Sequence, residues 1–193
     1  TLFVGNNARM LSGFFVVPTP AEFKLGNIGG IFSPQTYFDG ETVLLDFPGK
    51  KILGGKFSGK WVQGKRKLEK IKIRPCSLDS DTKYLIDLTI NGVDGSFYLD
   101  SGGIRSALTR DFKAKIGAIK GEPGKRVGVA GRRDVERLSG LRLAIGRINK
   151  KITADVEPDR VACRSADGKL GGDFLRRYAL LLDKKRKTIT FYQ

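Results

Sequence analysis

A chain of 193 residues, 40% hydrophobic and 29% charged, can bury a real core as one large unit or two small ones. It contains no histidine, which removes Ser-His-Asp and Cys-His catalysis and His-ligated zinc, so hydrolytic chemistry would have to use carboxylates; no metal or cofactor is expected. The formal net charge of +16 points either to a polyanion contact or to solvated strand edges that discourage strand addition, and apolar runs such as "SGFFVVP" and "YALLLD" are too short to span a membrane.

Residues 1–53 resemble a later part of the same chain. "VLLDFPGKKI" can be laid on "LLLDKKRKTI", which matches Asp46 with Asp183; on the same alignment Gly5 falls on Gly146, Pro18 on Pro158, and "GGIF" near "GKLGG". Matches in one order mark an internal repeat. The first 53 residues then read as the second half of a unit whose complete version spans 81–193. The chain opens at Thr1 without a leader pattern, as expected of a mature product, an internal fragment or a trimmed chain. Residues 54–80, rich in Gly and Lys, read as a basic linker, with Trp61 and the alternation in "KIKIR" predicting a strand or two.

From residue 81 strand signals dominate. "KYLIDLTING" and "SFYLD" are β-branched or aromatic runs, and the Asn91-Gly92 and Asp94-Gly95 pairs between them favour positive φ, so they predict a hairpin. "LTRDFKAKIG" predicts a short helix, with Leu108, Phe112 and Ile116 four apart, Thr109 as cap and Gly117 as stop. "VGVAGRRDVERL" predicts a polar hairpin around Gly128 and Gly131. "LRLAIG", "ITADVEP", "YALLLD" and "TITFYQ" predict further strands, and "GGDFLRRYA" a turn of helix. The architecture expected is all-β, a sandwich or closed barrel with one or two short helices. Cys76 and Cys163 form one disulfide or remain two buried thiols; their spacing is not a metal pattern.

The stretch "GSFYLDSGG" carries the chemistry question. Asp, Ser and Gly all favour turns, so Asp100 has an ordinary reading as a turn former. A second reading comes from its position, at the end of an apolar strand and before Gly102 and Gly103, which let backbone approach closely. Two such carboxylates face to face cannot both ionise and share a proton; one then activates water and the other protonates a carbonyl.

"LTINGVDGSFYLDSGGIRSALTRDF" resembles the opening of a retropepsin-like aspartic protease lobe, and "KLGGDFLRRYALLLDKKRKTITF" resembles that family's closing segment. The resemblance implies a pepsin/retropepsin-like closed β-barrel, an acid protease fold, and an active site with one Asp from each of two lobes. It implies Asp100 as the catalytic carboxylate, Ser101 as the hydroxyl bracing the two Asp loops, and Gly102 as the residue allowing close approach. Val129, Ala130 and Gly131 would belong to the flap over substrate, and Leu170 and Gly171 would pack beneath the catalytic loop. Lys169 stands where the family has an apolar residue.

Only one Asp-Ser/Thr-Gly occurs in the chain. The resemblance therefore implies that a peptide or protein substrate is cut only when a second Asp comes from an N-terminal companion segment or a homodimer mate. Within the repeat, that second Asp would lie upstream of Thr1. The alternative function is a non-catalytic protease-like β-domain that binds protein or a polyanion through its basic surface. Two cysteines and the absent initiator Met lean toward a periplasmic or secreted setting.

Overall fold

The computed structural model describes residues 2–4, 7–9, 42–76, 84–117, 119–128, 131–157 and 165–193. Gly5, Pro18, Val129, Ala130, Pro158 and Cys163, all named above, lie outside them. Strands β1 (Leu2–Val4) and β2 (Asn7–Arg9) pair antiparallel as a two-stranded sheet. Then follow β3 (Thr42–Asp46), β4 (Lys51–Gly55), a 3-10 turn at Gly59–Val62, β5 (Lys67–Lys72) and β6 (Arg74–Pro75). The remainder is β7 (Tyr84–Ile90), β8 (Val93–Leu99), β9 (Ser106–Thr109), α1 (Arg110–Lys115), β10 (Glu122–Gly128), β11 (Gly131–Ile145), β12 (Ile148–Glu157), β13 (Gly168–Leu170), α2 (Gly172–Leu175), β14 (Ala179–Asp183) and β15 (Thr188–Tyr192). Among the described residues the chain is all-β with two short helices, as its alternating strand signals predict.

Local chemistry sets these boundaries. The β7–β8 hairpin turns on Asn91 and Gly92, with φ of 53° and 85°, the paired positive values of a two-residue turn whose twist matches its strands. Asp94 and Gly95, which also looked like a turn, lie inside β8 opposite Thr89 and Leu88. Gly95 is needed there because a Cβ would meet the Phe112 ring at 2.5 Å. Helix α1 begins where the Thr109 side chain accepts the Phe112 N–H, and it ends before Gly117 at φ 92°.

Strands β7, β8, β13, β9, β12 and β11 form a ring of pairings, closed where Leu143 and Ala144 of β11 meet Ile90 and Thr89 of β7. Most neighbours run antiparallel, but β13 lies parallel to β8 and antiparallel to β9, and β12 lies parallel to β9. Because β13 is wedged between β8 and β9, it sits directly beneath the loop that joins them. That loop contains Asp100.

A second sheet runs β4-β3-β14-β15-β5. Its centre has an internal two-fold. Leu44 pairs with Leu181, while the pairs Leu45↔Leu180 and Val43↔Leu182 exchange when β3 is moved onto β14 by the 137 positions from Asp46 to Asp183. The same offset carries the β3–β4 register, Asp46↔Lys51, onto that of β14–β15, Asp183↔Thr188. Each Asp accepts the N–H three residues on, from Gly49 at 3.0 Å and Arg186 at 2.9 Å, and the following Lys50 and Lys187 have φ of 52° and 50°. Two hairpins of one design therefore flank a local dyad. β5, from the stretch read as a linker, completes this sheet beside β15.

Asp46 is 5% exposed. Burial pushes its carboxyl upward, but hydrogen bonds from Lys65 and the Gly49 N–H and the charges of Lys65 and Lys51 outweigh burial and hold it below the usual range. A depressed carboxyl contributes stability that is present above its unfolded value and lost as pH falls through its folded one. Asp46→Asn is therefore expected to cost about 1–3 kcal/mol at pH 7. Urea midpoints of the two proteins should converge as the pH is lowered into the carboxylate range.

One large core joins the two sheets. Phe174 and Tyr178, on and just after α2, stack edgewise on Phe191 of β15, with ring centroids 6.3 and 5.7 Å away. A smaller cluster on the other face of the ring contains Leu85, Tyr98, Ala166 and Cys76. Cys76 is disulfide-bonded, and the sequence holds one other cysteine, Cys163.

Candidate active site

Asp100 follows the last residue of β8. Its backbone N–H donates to the Leu170 carbonyl at 2.9 Å, which ties the start of the loop to β13. The chain then doubles back, so that the Gly103 N–H reaches both the Asp100 carbonyl (3.1 Å) and its carboxylate Oδ1 (2.9 Å). The glycine that this close turn requires is Gly103: a Cβ there would lie 2.7 Å from Asp100 Oδ2, whereas at Gly102 the nearest atom would be 3.7 Å away. Ser101 and Gly102 form the exposed tip, and Ile104 beside them is 67% exposed.

The far side of the loop is sewn to the start of α2. Gly172 N–H donates to the Gly103 carbonyl at 2.6 Å and Asp173 N–H to the Ile104 carbonyl at 3.0 Å. Asp173 Oδ1 accepts both the N–H and the hydroxyl of Ser106 at 2.9 Å, and the Ser106 hydroxyl accepts the Gly171 N–H at 3.1 Å. Polar groups buried in this contact are thus largely paired, and the loop between β8 and β9 has little freedom to drift. Leu170, 0% exposed, and Gly171 lie beneath it, where the resemblance places them.

Successive strand residues point to opposite faces, so Leu170 fills the core while Lys169, where the resemblance implies an apolar residue, faces away from it. Its ammonium lies 2.5 Å from Asp100 Oδ2 and 3.8 Å from Glu157 Oε1. Lys169 and Glu157 are 8% and 7% exposed, and Arg126 of β10 pairs with the same Glu157 oxygen. Positive and negative groups thus alternate from β10 to the Asp100 loop: Arg126, Glu157, Lys169, Asp100. Beside this row Arg137 of β11 binds the fully buried Asp155 at 2.9 Å. Burying these charges is tolerable because each has an opposite partner.

Strands β10 and β11 pair from Glu122↔Arg137 to Gly128↔Gly131, the polar hairpin that "VGVAGRRDVERL" predicts. Gly131 is the first residue of β11; Val129 and Ala130 fall outside the described residues. A narrow apolar crevice brings Ser101 and Leu99 next to Leu45 and Leu180, so the Asp100 loop opens toward the strands that flank the dyad. Among the described residues no group of acidic, Cys or His side chains is arranged to hold a metal, and no helix is long and apolar enough to cross a membrane.

No protein-family model matches the chain, and no curated protein matches it in sequence. Among solved structures it is similar to the crystal structure of a retropepsin-like aspartic protease from Rickettsia conorii. The sequence identity is 21%, the match covers 67% of this chain and 94% of that one, and the TM-score is 0.49.

Sequence reasoning singled out Asp100, its glycines and Leu170-Gly171, and the structure places them together in one loop and the segment beneath it. It missed Arg126, Glu157 and the role of Lys169. Two signals were present: a lysine inside an otherwise apolar strand needs a buried counter-ion, and "ADVE" alternates acids with apolar residues.

Proposed function

We propose that this protein is an aspartic endopeptidase of the retropepsin-like type. The observation that carries this reading is the placement of Asp100: a carboxylate at a strand end, fixed by the strand wedged beneath it, with its side chain 26% exposed. In this reading Asp100 is one of two carboxylates. One accepts a proton from a water whose oxygen attacks the peptide carbonyl; the other donates its proton to the carbonyl oxygen. Collapse of the tetrahedral carbon then breaks the C–N bond as the amine takes up a proton. The substrate is an extended peptide added as a strand beneath the β10–β11 hairpin, with Val129, Ala130 and Gly131 at its tip; Ser101 and Gly102 meet the partner loop.

The second carboxylate is assigned to a first lobe, not to a second copy. In the five-stranded sheet the position related to β14–β15 by the dyad is already filled by the chain's own β3–β4 hairpin. A homodimer mate would compete for a filled seat. We therefore read residues 1–53 as the closing half of that first lobe, 54–80 as the connection and 81–193 as the complete lobe, with the partner Asp on an N-terminal companion segment. The disulfide at Cys76 supports a periplasmic or secreted setting.

The test is cleavage of extended peptides by the native protein, and its blockade by a peptide carrying a non-cleavable hydroxyl at the scissile position. Specific activity that survives dilution supports a companion lobe; activity that falls on dilution supports a homodimer. No cleavage of any peptide overturns the reading.

A further inference from the structure

Both carboxylate oxygens of Asp100 are already engaged by its own surroundings. Oδ1 accepts from the Gly103 N–H and Oδ2 from the Lys169 ammonium. A carboxylate has about four acceptor sites, so these two bonds do not fill it, but a proton shared with a second carboxylate would lie against the positive charge of the Lys169 ammonium seated on Oδ2. The ammonium cannot simply retreat into solvent, since Lys169 is 8% exposed. It has one other seat among the described groups around it: Glu157 Oε1, 3.8 Å from Nζ. Glu157 is held by Arg126, which belongs to the β10–β11 hairpin.

We propose that Lys169 is a latch on Asp100, with Asp100 and Glu157 as its two seats and Arg126 setting which one it takes. While Arg126 neutralises Glu157, the ammonium stays on Asp100 and the carboxylate is closed to chemistry. When the hairpin moves over a peptide, Arg126 is drawn from Glu157, the attraction of Glu157 for Lys169 rises, and Asp100 is released. No bond is made or broken, and the charges exchange partners inside one buried row. The latch makes a free Asp100 dependent on an occupied hairpin, so water is not activated before a substrate is in place. It rests on the proteolytic reading of Asp100 and adds how that site is gated.

Lys169→Met keeps the length of the side chain and removes the ammonium; Glu157→Gln keeps the shape of the second seat and removes its charge. A ligand's apparent affinity scales with the fraction of protein in the competent state, so Lys169→Met should raise kcat/KM by about tenfold and Glu157→Gln should lower it by a similar factor. Cleavage by Lys169→Met at or below the wild-type rate overturns the latch and leaves the protease reading standing. If Lys169→Met does not fold, Glu157→Gln decides: a rate equal to wild type overturns the latch. If neither the native protein nor the variants cleave any peptide, the protease reading falls separately, and the latch is then read from binding of the hydroxyl-bearing peptide. Its Kd should drop by about tenfold in Lys169→Met. An unchanged Kd, or no binding by either protein, overturns it.

Discussion

Asp100→Asn is expected to reduce peptide cleavage by a factor of about 10²–10⁴ while leaving the fold standing. The asparagine keeps an oxygen for the Gly103 N–H, and the backbone bond from residue 100 to the Leu170 carbonyl does not involve the side chain. Lys169 loses its nearest partner but keeps Glu157 within 3.8 Å, so its buried charge is not orphaned. What disappears is the carboxylate itself, which general acid-base hydrolysis of the proposed kind cannot do without. Peptide cleavage is the decisive measurement, with the circular dichroism spectrum and urea midpoint as controls on the fold. Unchanged cleavage would move the chemistry away from this loop. It would also favour the other reading of a chain with net charge +16, a β-domain that binds protein or a polyanion. In that case retention on a polyanion should fall steeply with salt and survive the Asp100 substitution.

The parts of this molecule legible in its sequence are those decided within a few residues. Asn91-Gly92 specifies its turn by backbone preference, Thr109 caps α1 with its own hydroxyl, and Asp46 and Asp183 repeat because the same side-chain-to-backbone bond shapes both hairpins. Asp100 belongs with them: an acid ending an apolar strand before two glycines is a local pattern. The parts that escaped depend on which distant strands meet. Lys169 reaches Asp100 because β13 slots in parallel beside β8, a pairing no local signal announces. Asp94-Gly95 looks like a turn only until the Phe112 ring from α1 is packed over it. The alternation in 70–74 predicts a strand in this basic stretch, but the edge of β15 that residues 67–72 cover is not visible in it. Even the choice between Gly102 and Gly103 turns on the direction of one carboxylate.

Gly171→Ala is expected to be the most damaging small substitution near the site, costing about 3 kcal/mol or more, because the obstacle is backbone and cannot move aside as a side chain can. Gly171 has φ of −96°, a conformation any residue adopts, so the penalty is steric alone. A Cβ there would fall 2.8 Å from the Ser106 N and closer still to the Arg105 carbonyl. Relieving that clash means lifting residues 105–106 away from β13. The lift would break the Gly171 N–H bond to the Ser106 hydroxyl, strain the Asp173 brace and loosen the Gly172 bond to Gly103. Those are the contacts that hold the loop carrying Asp100, so stability and site geometry should fail together. Gly102→Ala is the matched control: its added methyl would meet nothing nearer than 3.7 Å, and its unfolding midpoint should stay near that of wild type. Equal midpoints for the two variants would mean that the segment after β13 does not press against the loop, and the position of Asp100 would then lose the support on which the proposed chemistry depends.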